Sequence, residues 1–200
     1  MSPQPDLPHS GLDLDPAPSQ PNEFSGEERR LLLGIAHRAI AAKVNHQQLD
    51  LTSPSPHLAE ARGAFTTIYL HGALRGCVGY VFAAEPLYRT VADTACAAAF
   101  DDSRFPPVSP EEAANLEVHL SILSPLQSID ASEVEVGRHG LLISHHGKRG
   151  LLLPQVPIEH NWDRETFLSE TCRKAGLPTD AWQKGATIEA FTAEVFGDKD

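Results

Sequence analysis

Apolar positions after Ser25 recur at helical spacing: Leu32, Ile35, Ala36, Ala39 and Ile40 fall on one face. Ser25 and Glu28 stand three apart at the start of this stretch, the spacing of a capping box, which predicts a helix from Ser25 to about Val44. From 47 to 61 the period is lost and Pro54 and Pro56 intervene, so this stretch reads as a loop. Residues 64–70 are rich in β-branched and aromatic side chains, His71-Gly72-Ala73 can turn, and 74–81 can return, which predicts a hairpin. A second helix opens with Pro86 near its first turn and aligns Leu87, Val91, Ala92, Ala95, Ala98 and Ala99. Ser109-Pro110-Glu111-Glu112 opens a short helix by the same capping logic, and 117–123 alternates as a strand.

The second half repeats the mixture. Short apolar runs at 140–144 and 149–153 flank His145-His146-Gly147-Lys148, a second hairpin signal. Asp163 can cap a helix whose inner face holds Phe167, Leu168 and Cys172, with Gly176 just past its end and Pro178 beyond. Residues 188–196 read as one final strand. Hairpins interleaved with helices, without regular strand–helix alternation, predict an α+β fold with mainly antiparallel sheet. No internal repeat stands out.

Composition bounds the function. A chain of 200 residues is one domain, or one domain of two lobes. No apolar run reaches the ~18 residues of a membrane span, and the N-terminus lacks the pattern of a secretory signal. Net charge is −11, which argues against a surface that tracks nucleic-acid phosphates. Residues 1–22 carry six prolines, no Lys or Arg, and Asp6, Asp13 and Asp15; this reads as a disordered tail of charge −3, leaving −8 for the rest. Cys77, Cys96 and Cys172 are an odd number in a chain large enough for a core, which points to a reducing cytoplasm rather than a disulfide framework.

The stretch Leu74-Arg75-Gly76-Cys77-Val78-Gly79 is the richest in candidate chemistry. Glycine inside a strand marks a bulge or the close approach of another backbone or a ligand, which singles out Gly76 and Gly79. In a regular strand Arg75 shares a face with Cys77, and a guanidinium near a thiol favours the nucleophilic thiolate. A small cysteine buried in a tight strand accounts for the same spacing.

LRGCVGY resembles the LRGCIG motif of the AMMECR-type domain family, known in bacteria and archaea as AmmeMemoRadiSam system protein A. The resemblance continues through AAFDDSRFPPVSPEE, LSILSPLQSI, VGRHGLLI, RGLLLPQV and WDRETFLSETCRKAGLP, covering about residues 25–196. It implies two unequal subdomains, each with an antiparallel sheet and helices, separated by a cleft. On this chain the larger is expected at 23–125 plus 187–200 and the smaller at 126–186. The resemblance also implies that Leu74, Arg75 and Cys77 face the cleft, and an association with a Memo-type protein and a radical SAM protein.

Further candidates lie elsewhere. His139 falls in the matching VGRHGLLI segment and can reach a cleft, although a lone histidine beside a glycine is more often a turn residue. His145 and His146 are adjacent, so on a strand they point to opposite faces and suit solvent better than a shared metal. No ligand spacing supports a metal, and no cofactor is expected. Asp101, Asp102 and Arg104 can supply acid–base chemistry or, through an Arg104–carboxylate pair, clamp their loop. Two functions follow. In one, the cleft binds a protein, peptide or modified residue through Leu74, Arg75, Gly76, Gly79, Arg104 and His139. In the other, Cys77 is a thiol nucleophile or redox group of an enzyme. Arg75 is expected to serve recognition, so that removing it spares stability.

Overall fold

The computed structural model describes residues 23–82 and 84–200; the tail at 1–22 lies outside them. The order of elements is α1 (Gly26–Val44), β1 (Ala64–Leu70), β2 (Ala73–Tyr80), α2 (Leu87–Phe100), α3 (Pro110–Ala113), β3 (Leu116–Leu123), β4 (Gln127–Ser128), β5 (Gly140–His145), β6 (Lys148–Leu152), α4 (Gln155–Glu159), α5 (Arg164–Lys174), β7 (Thr187–Phe191) and β8 (Ala193–Gly197). The fold is α+β, with two four-stranded antiparallel sheets ordered β2-β1-β3-β8 and β4-β7-β5-β6.

Local signals account for most boundaries. Ser25 caps α1 through a complete capping box with Glu28, and Ser109 does the same for α3 with Glu112. Asp163 caps α5 by accepting from the Thr166 N–H. Pro86 is the residue before α2 rather than inside its first turn.

Each sheet buries one face under helices. Ile35, Ile40, Val91 and Ala95 of α1 and α2 join Ala64, Ile68, Val118, Leu120 and Phe196 of the first sheet in one core. Phe167, Leu168 and Cys172 of α5 join Leu141, Ile143, Ile188 and Ala190 of the second sheet in another. Leu123, Leu142 and Phe191 are buried without belonging to either core.

The single strand expected at 188–196 is two strands. Thr187–Phe191 pairs with β5 and β4, and Ala193–Gly197 pairs with β3 of the first sheet. The chain therefore changes sheet at Thr192 rather than at 186. Ser124, where β3 leaves toward β4, pins that crossing: its N–H donates to the Thr192 carbonyl, and its hydroxyl accepts the Thr192 N–H, both at 2.9 Å.

Candidate functional site

The face of the first sheet turned away from α1 and α2 is polar and half-exposed. Opposed residues of an antiparallel pair share a face. Thr67 lies opposite both Cys77 and His119, so the three form one row across β2, β1 and β3. Tyr69 and Glu117 flank the row on one side, Phe65, Gly79 and Ser121 on the other. All of these residues are partly accessible, whereas Thr66, Ile68, Val118 and Leu120, on the opposite face, are buried.

The row is held by its own contacts. The Thr67 hydroxyl donates to Cys77 Sγ at 3.2 Å. His119 Nε2 lies 2.9 Å from Glu117 Oε1, and its ring meets Tyr69 edge-on with centroids 5.1 Å apart. Bonds from His119 first, then Lys199, lower the Glu117 pKa. Burial, then the neighbouring Cys77 and Glu117, raises that of the Tyr69 phenol. Strand alternation placed Thr67, Tyr69 and His119 here; nothing in their spacing separates them from an ordinary solvated sheet face.

The outer edge of β2 is covered by the loop after α2. Cys77 donates its N–H to Asp102 Oδ2 at 2.9 Å, and Arg104 grips both oxygens of Asp102 at 3.0 and 2.7 Å. These bonds, Arg104 first and then the Cys77 amide, hold the Asp102 carboxyl well below the usual carboxylate range. Asp102 is buried while Arg104 remains half-exposed, so the pair is the clamp that one of the two sequence readings described.

Arg75 departs from its expected role. It is only 8% exposed and grips Glu112 with Nε and Nη2, both at 3.0 Å. Its third nitrogen, Nη1, is buried and finds no hydrogen-bond partner among the described residues. The register shifts between Ile68 and Tyr69, opposite Gly76 and Leu74, so Arg75 is the extra residue of a bulge rather than a regular neighbour of Cys77. Its guanidinium is thus committed to the N-terminus of α3, which corrects the expectation that its loss would spare stability.

The glycines serve close contacts within the fold. A Cβ on Gly76 would lie 2.1 Å from the Ala98 carbonyl oxygen of α2, and one on Gly79 would meet the Phe65 ring at 2.2 Å. Leu74 is exposed beside the bulge. His139 sits in the turn before β5 and turns inward on its own loop: its Nδ1 accepts from the Glu135 N–H at 3.1 Å. Burial, then Arg138, lowers its pKa. Among the described residues no group of three or more His, Cys, Asp or Glu is disposed to hold a metal ion, and no helix is long and apolar enough to cross a membrane.

The chain matches the AMMECR1 family over residues 33–196. The chain belongs to the AMMECR1 family. Protein TK0174 of Thermococcus kodakarensis is 42% identical over 179 residues, covering 82% of this chain and 87% of that one. Protein MK0488 of Methanopyrus kandleri is 36% identical over 186 residues, covering 87% and 90%. The crystal structure of PH0010 from Pyrococcus horikoshii superposes with a TM-score of 0.66 at 39% identity, covering 84% of this chain and 90% of that one. The AMMECR1 match takes in both sheets and the Cys77 row; residues 1–22 fall outside it.

Proposed function

We propose that this AMMECR1 protein is a binding module whose ligand is a protein, a peptide or a modified residue. The ligand lies on the open face of the first sheet, in a cleft between two subdomains, and its partners are Memo-type and radical SAM proteins in a cytoplasmic pathway. One observation carries the reading: the Cys77–Thr67–His119 row is a half-exposed, chemically mixed face on a sheet whose other face is fully built into a core. Leu123, Leu142 and Phe191 are buried outside both cores, which is compatible with apolar surface covered between the two subdomains in this reading. Within this reading Arg75 shapes the site by holding β2 to α3, Arg104 rims it, and His139 belongs to the far wall.

A second reading, an enzyme using the Cys77 thiol, draws on the hydroxyl of Thr67 at the sulfur and on the His119–Glu117 pair across the same face. The test is complementation in the native host together with capture of Memo-type and radical SAM partners. Binding predicts that His119→Ala loses both while Cys77→Ser keeps both. Loss of function in Cys77→Ser with partner capture intact selects the enzyme.

A further inference from the structure

The end of the β5–β6 hairpin carries a concentration of unneutralised hydrogen-bond donors on a strongly acidic protein. A concavity of about 550 Å³ opens there, lined by Ser144, His145, His146, Lys148, Arg149 and Thr187 together with Gly147. Among the described residues no carboxylate lines it. Among the described residues neither Lys148 nor Arg149 has an acidic partner within ion-pair distance. The chain as a whole has a net charge of −11, so this is not one sample of a generally basic surface.

The register concentrates the donors further. Ser144 lies opposite both Arg149 and Thr187, so a guanidinium and two hydroxyls form one row across β6, β5 and β7, each about 5 Å from the next. The Arg149 guanidinium carbon lies over the Phe82 ring, 4.5 Å from its centroid, a contact that uses none of the N–H groups. The two imidazoles, with centroids 3.8 Å apart, close the turn side. Lys148, next to Arg149 along β6, points to the other face of the strand and donates to the Gly176 carbonyl, so it adds positive charge near the row without joining it.

The same structural position in the first hairpin is instructive. Arg75 also directly precedes a glycine that a helix backbone covers, and there Glu112 fills the fork. At Arg149 the acid is missing and space is present. A fork flanked by two hydroxyls on one face, with an ammonium nearby adding positive charge, suits a tetrahedral dianion better than a planar monoanion.

We propose that this hairpin end is a binding site for a phosphate dianion, free or as the monoester of a small molecule. None of the residues that line it belongs to the Cys77 row. The test is an NMR titration of the full chain with inorganic phosphate and, separately, with phenyl phosphate, following backbone amides at 144–149 and 187 and the Arg149 Nε–H. Saturable shifts confined to these groups, weakened about tenfold by Arg149→Gln, support the site. Thr187→Val, which keeps the charge, is expected to weaken binding by a smaller factor. Tighter binding of phenyl phosphate indicates a monoester ligand, and tighter binding of inorganic phosphate indicates the free ion. No saturation by about 10 mM, where a site with a Kd of about 1 mM would be largely filled, overturns the proposal. So do equal shifts in wild type and Arg149→Gln, or binding of a poly-glutamate peptide without binding of either phosphate.

Discussion

The two hairpins of this protein follow one plan and end in opposite electrostatic states. Each has a His-Gly turn with both residues at positive φ: His71 and Gly72 at 52° and 80°, His146 and Gly147 at 49° and 78°. In each, an Arg-Gly pair follows, and helix backbone covers the glycine, Ala98 of α2 over Gly76 and the C-terminal end of α5, at Lys174 and Ala175, over Gly150. Each of these glycines pairs with an isoleucine three residues before its turn, Ile68 or Ile143. The difference is one residue. The first hairpin carries a bulge that turns Arg75 inward onto Glu112, and the second is regular and leaves Arg149 outside on Phe82. A single inserted residue thus converts an arginine available to a ligand into one that fastens strand to helix.

Removing the two arginines is the strongest way to break this comparison. Arg75→Ala strands the Glu112 carboxylate beside a buried gap and is expected to cost about 3 kcal/mol, at the low end for buried pairs because Glu112 is partly exposed. Arg149→Ala removes only an exposed contact with Phe82 and should cost under about 1 kcal/mol. Urea denaturation of both variants reads the difference directly; equal losses would mean that the bulge does not assign the two arginines different roles.

Glycine replacement comes next in size and tests what the hairpins share. Gly76→Ala puts a Cβ 2.1 Å from the Ala98 oxygen, and Gly150→Ala puts one 2.2 Å from the Ala175 nitrogen. Neither helix backbone can step aside cheaply, so each variant should lose about 1–3 kcal/mol or more, seen as a lowered Tm. A neutral Gly150→Ala would show that α5 does not clamp the second hairpin as α2 clamps the first.

Much of this plan was legible in the sequence, and the missing parts have physical reasons. Capping boxes and turn glycines are local codes, so α1, α3, α5 and both hairpins were readable from neighbouring residues. The change of sheet at Thr192 was not, because apolar residues continue on both sides of a one-residue break. The two-residue β4 and the five-residue α4 are too short to establish a period. Arg75 reads as a recognition residue from sequence because its partner lies 37 positions away and the bulge that turns it has no sequence mark. For the same reason the likeness of the hairpins did not register as a repeat: the bulge puts the two Arg-Gly pairs out of step. The Asp102–Arg104 clamp was readable because both partners sit in one loop.

That clamp gives a pH signature confined to the first hairpin. The folded-state pKa of Asp102 is depressed, so its contribution is fully present above the unfolded carboxylate value near about 4 and fades as pH falls toward the folded value. Asp102→Asn should therefore be less stable than wild type at neutral pH, with the gap narrowing below about pH 4. A gap that stays constant down the acid limb in denaturant titrations would mean the Cys77 amide and Arg104 do not bind the carboxylate preferentially in its charged form.

The smallest expected effect is that of Cys77→Ser, and it sharpens the comparison by separating what builds the first hairpin from what it displays. Cys77 is held through its backbone, by the N–H bond to Asp102, and this survives replacement of the side chain. Its sulfur accepts one hydroxyl bond, from Thr67 at 3.2 Å, which a serine oxygen can also accept. Neither the Gly76–Ala98 contact nor the Arg75–Glu112 pair involves the thiol. Stability should thus change by less than about 1 kcal/mol, measured by the urea midpoint at neutral pH. Native-state alkylation completes the case: partly exposed Cys77 should react in the folded wild type, while Cys172, buried and with a thiol pKa raised by that burial, should not. A large loss of stability in Cys77→Ser, or a Cys77 protected like Cys172, would make the thiol part of the hairpin's structure and remove it from the open face.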